Sequence, residues 1–185
     1  MIAVTIHAAP PAAITPGGAL TITLPADLLR SAEVKEQLTS GLTTVFVITV
    51  SGDGVKGAAR IDVRFELWEE KYLVSVIEPT GERHFSFDSE AALARWWSEN
   101  PLTVTPPRKY GQRVDARVKL KLLPFSSQEQ RDTRRWLART LSGTNGDFTP
   151  AQSADILRIL VETSVRRRPL LEREWSVRAE GRATP

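Results

Sequence analysis

Hydrophobic and polar positions alternate with a period of two over much of this chain, so strands dominate the reading. Leu20-Thr21-Ile22-Thr23-Leu24 alternates strictly and predicts a strand with one buried face. Between Leu42 and Ser51, Val45, Val47 and Thr49 share one face, while Phe46, Ile48 and Val50 share the other. Both faces are apolar, which predicts a central strand covered on two sides. From Ala58 to Leu67, Ile61, Val63, Phe65 and Leu67 oppose Asp62, Arg64 and Glu66, the pattern of a half-exposed antiparallel strand. Trp68-Glu69-Glu70-Lys71-Tyr72 interrupts that alternation and predicts a tight connection or a bulge. Leu73 to Ile77 resumes a strand, Pro79 to Glu82 turns it, and Arg83 to Phe87 adds another. Arg113 to Leu123 is a long strand with Val114, Ala116, Val118, Leu120 and Leu122 facing inward. Its outward face carries Arg113, Asp115, Arg117, Lys119 and Lys121. Leu170 to Ala179, with Trp175, reads as the last strand, and Val4 to Ile6 as a short first one.

Helical signals separate these strands. Pro25 to Thr39 predicts a helix with a break near Ser31. Pro25 suits its first turn, and Gly41 suits the left-handed residue beyond its end. Asp88 is expected to cap a helix reaching Glu99, in which Trp96 and Trp97 stand about 100° apart and cannot face the same way. One tryptophan then belongs to the core and the other covers a seam, or one is an exposed anchor for a partner. Ser126 and Glu129 form a capping box for a helix to about Leu141, and Thr149-Pro150 opens another reaching about Arg167. Residues 100–112 form a proline-bearing loop. Residues 8–19 are rich in proline, glycine and alanine, and predict a linker or an extended edge arm. The expected fold class is therefore α+β: an antiparallel β-sheet of about six to eight strands with three or four helices packed on it. Residues 1–19 make an N-terminal strand and arm, 20–180 a single domain, and 181–185 a disordered tail.

Composition narrows the chemistry. A chain of 185 residues, 41% hydrophobic and 25% charged, can bury a core without staples. The absence of cysteine excludes disulfides, thiolate catalysis and thiolate metal sites. Two histidines, His7 and His84, cannot build a three-histidine metal site, and each reads as a partly exposed strand residue. No apolar run approaches the roughly 20 residues of a membrane-spanning helix. The first residues lack the basic region of a signal peptide, which leaves Met1 as a natural start or as a replacement for a removed leader. No cofactor is expected.

Charge is distributed unevenly. Residues 1–107 hold 8 basic and 13 acidic side chains, a net of −5, whereas residues 108–185 hold 17 basic and 9 acidic, a net of +8. Such a split suggests an interaction surface for an acidic protein, nucleic acid or anionic headgroups, unless the two halves neutralise each other in the fold. Arg108-Lys109-Tyr110 is a basic loop tip with an aromatic, and Arg131, Arg135 and Arg139 repeat every four residues along one helical face. Together with Trp97 these are the candidate partner-binding residues. A solvated loop and a solvated helix face are the alternatives.

Catalytic patterns are missing from the sequence. It has no GxSxG, no Walker A, no GxGxxG and no HExxH. Glu69 and Glu70 are an acidic pair between Trp68 and Tyr72, but neighbours on a strand point to opposite faces and would not share a cleft. The reading is a non-enzymatic binding or assembly module that docks a protein partner. A nucleic-acid-binding protein of the cytoplasm using the basic half, and a carrier of an apolar ligand, are the alternatives.

Three segments carry a family likeness: Leu38 to Val47, Arg64 to Tyr72, and Ala116 to Pro124. Together they resemble the DUF4390 family of bacterial proteins. That resemblance implies a β-rich exported protein of the cell envelope or periplasm. It implies no activity and no functional residues. Two predicted helices between Ser126 and Arg167 depart from the family pattern.

Overall fold

The computed structural model describes residues 9–52, 54–107, 113–124 and 169–180. The doubly apolar strand is β3 (Thr44–Gly52), and it lies inside a six-stranded antiparallel sheet. On one side it pairs with β4 (Val55–Glu66), which leads to β5 (Lys71–Glu78) and β6 (Gly81–Phe87). On the other it pairs with β8 (Arg113–Pro124), which carries β9 (Leu171–Glu180) at the far edge. The order is β6-β5-β4-β3-β8-β9. Register follows the sequence pattern: Phe46 stands opposite Ile61 and Leu122, and Val45 opposite Asp62 and Leu123. Phe46, Ile48 and Val50 enter the main core, while Val45 and Val47 form a second buried cluster with Leu123 on the opposite face. Both faces of β3 are thus covered, as its composition predicts.

The main core is closed by a second, smaller layer. β1 (Ala12–Ile14), β2 (Leu20–Ile22) and β7 (Leu102–Thr103) form a three-stranded antiparallel sheet of order β1-β2-β7. The proline-rich arm is therefore not a free linker. Thr15 closes a turn by accepting from the Gly18 N–H and donating its own N–H to the Ala19 carbonyl, both at 2.8 Å, and Gly18 takes a φ of 79°. The expectation that β2 has one buried face also changes. All three of its residues are buried, and Thr21 is satisfied by donating its hydroxyl to the Ala13 carbonyl. Where one sheet of six to eight strands was expected, the described residues form two.

The helical segment breaks where the sequence indicates. A 3-10 turn covers Ala26–Arg30, and α1 covers Ala32–Thr39. Between them Ser31 is extended and its hydroxyl accepts from the Val34 N–H. Gly41 follows α1 with a φ of 70°. The second helix, α2, spans Glu90–Glu99. Its cap is Ser89, which accepts from the Ala92 N–H at 3.2 Å, and not Asp88 as expected. The two helices of the described residues, the 3-10 turn and the small sheet share one hydrophobic cluster with the large sheet. The fold is α+β with antiparallel sheets. Among the described residues, no helix is long and apolar enough to cross a membrane. The strand expected at Val4 to Ile6, the helices expected at 126–141 and 149–167, and the tail 181–185 lie outside the described residues.

Candidate functional site

Of the seven residues the sequence nominates for partner contact, the structure describes one. Trp97 is 2% exposed, and its ring meets Phe46 edge-on at 4.8 Å. It is a core residue and cannot be the exposed anchor. Trp96 is also buried and packs on the aromatic end of β6, 5.0 Å from Phe85 and 5.5 Å from Phe87. The 100° between neighbouring helical positions thus sends one ring into the centre and the other over a seam. Arg108, Lys109, Tyr110, Arg131, Arg135 and Arg139 lie outside the described residues.

The outward face of β8, basic in sequence, meets an acidic neighbour in space. Antiparallel register puts Lys119 opposite Glu174, Lys121 opposite Glu172 and Asp115 opposite Arg178. Ion pairs follow directly: Arg117 to Glu174 at 3.0 Å, Lys119 to Glu174 at 3.2 Å and to Glu172 at 3.3 Å, and Arg178 to Asp115 at 2.8 Å. Arg113 reaches the other Asp115 oxygen at 3.1 Å. The hydrogen bond from Arg178, aided by both guanidinium charges, holds the Asp115 carboxyl below its ordinary range. Hydrogen bonds to Glu174 and Glu172, together with their charges, raise the Lys119 ammonium. An open trough of about 550 Å³ at one end of this ladder is lined by Ser51, Asp115, Arg117, Ser176 and Arg178. Its guanidiniums are already matched to carboxylates. The described β8–β9 surface is therefore a mixed-charge ladder, not a basic face.

The opposite end of the large sheet is different. There β3 and β9 begin and β4 and β8 end. All the exposed large hydrophobic side chains of the described residues are there: Leu42 at 51%, Leu67 at 65%, Trp68 at 94% and Leu170 at 44%. Leu67 and Trp68 form the tip of the β4–β5 hairpin, where Glu66 pairs with Lys71 across a four-residue turn. The alternation predicts Leu67 on the buried face with Ile61 and Val63. β4 ends one residue too early for that, and the turn carries Leu67 outward. Its side chain reaches back to within 3.5 Å of the position a Gly41 Cβ would take, beside Leu42. Glu70 closes the turn with a φ of 52°, making it the only non-glycine residue with positive φ among those described. Such a conformation costs about 1–2 kcal/mol for a residue with a side chain.

The charges around the tip are mostly settled on its flanks. Arg64 pairs with Glu66 at 2.9 Å, and Lys71 reaches Asp88 at 4.0 Å. Glu69 and Glu70 make no ion pair among the described residues, so the tip carries two acids beside its apolar side chains. The alternation does not reveal this element, because the tip breaks the strand pattern and reads as a tight connection or a bulge. The available signal was composition: leucine and tryptophan occupy a turn that lacks glycine, proline and asparagine. No group of His, Asp and Glu able to hold a metal ion occurs among the described residues. Comparison with family models, curated proteins and solved structures gives no match.

Proposed function

We propose that this protein is a non-enzymatic binding module that docks a protein partner in the bacterial cell envelope. The observation that carries the docking reading is the β4–β5 tip, which leaves Trp68 94% exposed beside Leu67. Tryptophan supplies large contact area at low conformational cost and is enriched among residues that dominate interface energies. Contiguous apolar surface rimmed by polar groups marks interaction sites in soluble domains. The envelope location rests on the resemblance to the DUF4390 family. The proposal keeps the sequence-based count of three or four helices and the single domain over 20–180. It also keeps Arg108, Lys109, Tyr110, Arg131, Arg135 and Arg139 as contacts behind the tip. Trp97, being core, is no longer among them.

The nucleic-acid reading draws less support. It relies on surplus cations in the C-terminal half, and the β8 cations pair with Glu172, Glu174 and Asp115. Fractionation of the host cells, followed by chemical crosslinking of the native envelope fraction, tests the proposal. The expected result is recovery with the envelope and a stoichiometric protein adduct. Recovery from the cytosol, with binding to generic DNA that weakens steeply between low and moderate salt, would replace it with the nucleic-acid reading.

A further inference from the structure

We infer that the Leu67–Trp68 tip, with Leu42 beside it, is an insertion element for an apolar pocket with a basic rim on a different protein. The inference rests on the docking reading and specifies its partner's chemistry. A hairpin turn free of function is expected to be polar and to use glycine or asparagine where φ is positive. This one places Leu67 and Trp68 in water and holds Glu70 in the left-handed region. Leu67 comes within 3.5 Å of the position a Gly41 Cβ would take, which brings it beside the chain that leads to Leu42.

Charge distinguishes between occupants. The sign of the hairpin's own charges argues against a lipid surface. Interfacial anchors flank their apolar residues with lysine and arginine, which anionic headgroups attract. Here the residues that follow Trp68 are Glu69 and Glu70, and the hairpin's own flanking cations among the described residues, Arg64 and Lys71, lie beside Glu66 and Asp88. A two-fold contact that set tip against tip would bring four carboxylates together, which is disfavoured. A pocket rimmed by Lys or Arg satisfies both halves of the tip. The indole and Leu67 leave water, while Glu69 and Glu70 meet opposite charge at the rim.

The test is residue-resolved crosslinking in the host cells, with a benzophenone amino acid in place of Trp68 in the full chain. Control chains carry it in place of His84 or Arg178, both exposed away from the tip. The expected result is one protein adduct from the Trp68 site, with the crosslinked peptide lining an apolar pocket that includes Lys or Arg. In the same chain, Glu69→Lys with Glu70→Lys should reduce the adduct about tenfold or more, because like charges then face each other. An adduct with lipid, an adduct with a second copy, or an adduct untouched by the charge reversal overturns the inference. Adducts from the control sites alone overturn the inference and leave the docking reading in place. No protein adduct from any site overturns both. Trp68→Ser should leave the thermal unfolding midpoint unchanged. A large fall in that midpoint would show that the indole serves the fold and would also overturn the inference.

Discussion

Glu78 is a carboxylate that the fold has taken out of water, with 3% of the residue exposed. It accepts from the Thr103 N–H at 2.7 Å and from an Arg83 Nη at 2.9 Å. One side chain therefore ties the end of β5 to the neighbouring strand β6 and to β7 of the other sheet. Removing it leaves a backbone N–H without an acceptor, the expensive half of a broken hydrogen bond. Glu78→Ala is expected to cost about 2–3 kcal/mol in urea unfolding, and Glu78→Gln about half as much, since an amide oxygen still serves Thr103. Equal costs for the two variants would mean that the charge, not the acceptor, is what matters. In sequence, Glu78 is a polar residue between a strand expected to end at Ile77 and the turn that opens with Pro79. Nothing local indicates that Thr103, 25 residues away, will need it.

At the scale of elements, the start of α2 and the β8–β9 ladder make separable claims. Ser89 caps α2, and Asp88 stands one residue outside, paired loosely with Lys71. Ser89→Ala should cost about 1 kcal/mol, and Asp88→Ala only a few tenths, in the same unfolding measurement. The reverse order would restore Asp88 as the cap. The ladder predicts a pH dependence. Asp115 has a lowered folded pKa, so its contribution is complete above the unfolded value near about 3.9 and is lost as pH falls through the folded one. Lys119 has a raised pKa, so its contribution is complete below about 10.4 and is lost as pH rises through its folded value. Thermal unfolding midpoints of the wild-type chain and of Asp115→Asn should therefore differ most at neutral pH and converge in acid. The gap should shrink in high salt, because these charges are exposed and screened. A gap that persists unchanged into strong acid would show that Asp115 acts by something other than charge.

At the scale of the molecule, the two sheets are joined by close approach as well as by Glu78. Gly57 on β4 lies against the Val104–Thr105 stretch that follows β7, and a Cβ there would run into the Val104 carbonyl. The same stretch binds β2: Val104 donates its N–H to the Leu20 carbonyl and Thr105 accepts the Leu20 N–H through its hydroxyl, both at 2.9 Å. Gly57→Ala would force backbone apart, not a flexible side chain. It is expected to cost about 3 kcal/mol, read as a lowered urea midpoint. A neutral Gly57→Ala would show that the sheets can separate there without penalty. On the far side, Arg173 of β9 reaches Asp27 of the 3-10 turn at 3.1 Å, fastening the helical layer to the sheet edge.

The sequence by itself determined the six strands of the large sheet, the break at Ser31 and the two-sided burial of β3. Each of these depends on neighbours along the chain: a period of two, a capping serine, a run of β-branched residues. It also determined that Trp96 and Trp97 must point apart. The tertiary structure alone decided which surfaces face water and which charges meet. Arg117 and Lys119 look like a free basic stripe until register brings Glu172 and Glu174 beside them from more than fifty residues away. The proline-rich arm reads equally as a linker or an extended edge arm until β2 offers it a partner strand. Leu67 continues an inward pattern on paper, and only the length of the β4–β5 pairing turns it and Trp68 outward. Local pattern is set by covalent spacing, whereas pairing and exposure are set by contacts between distant segments, and no window of sequence contains both partners.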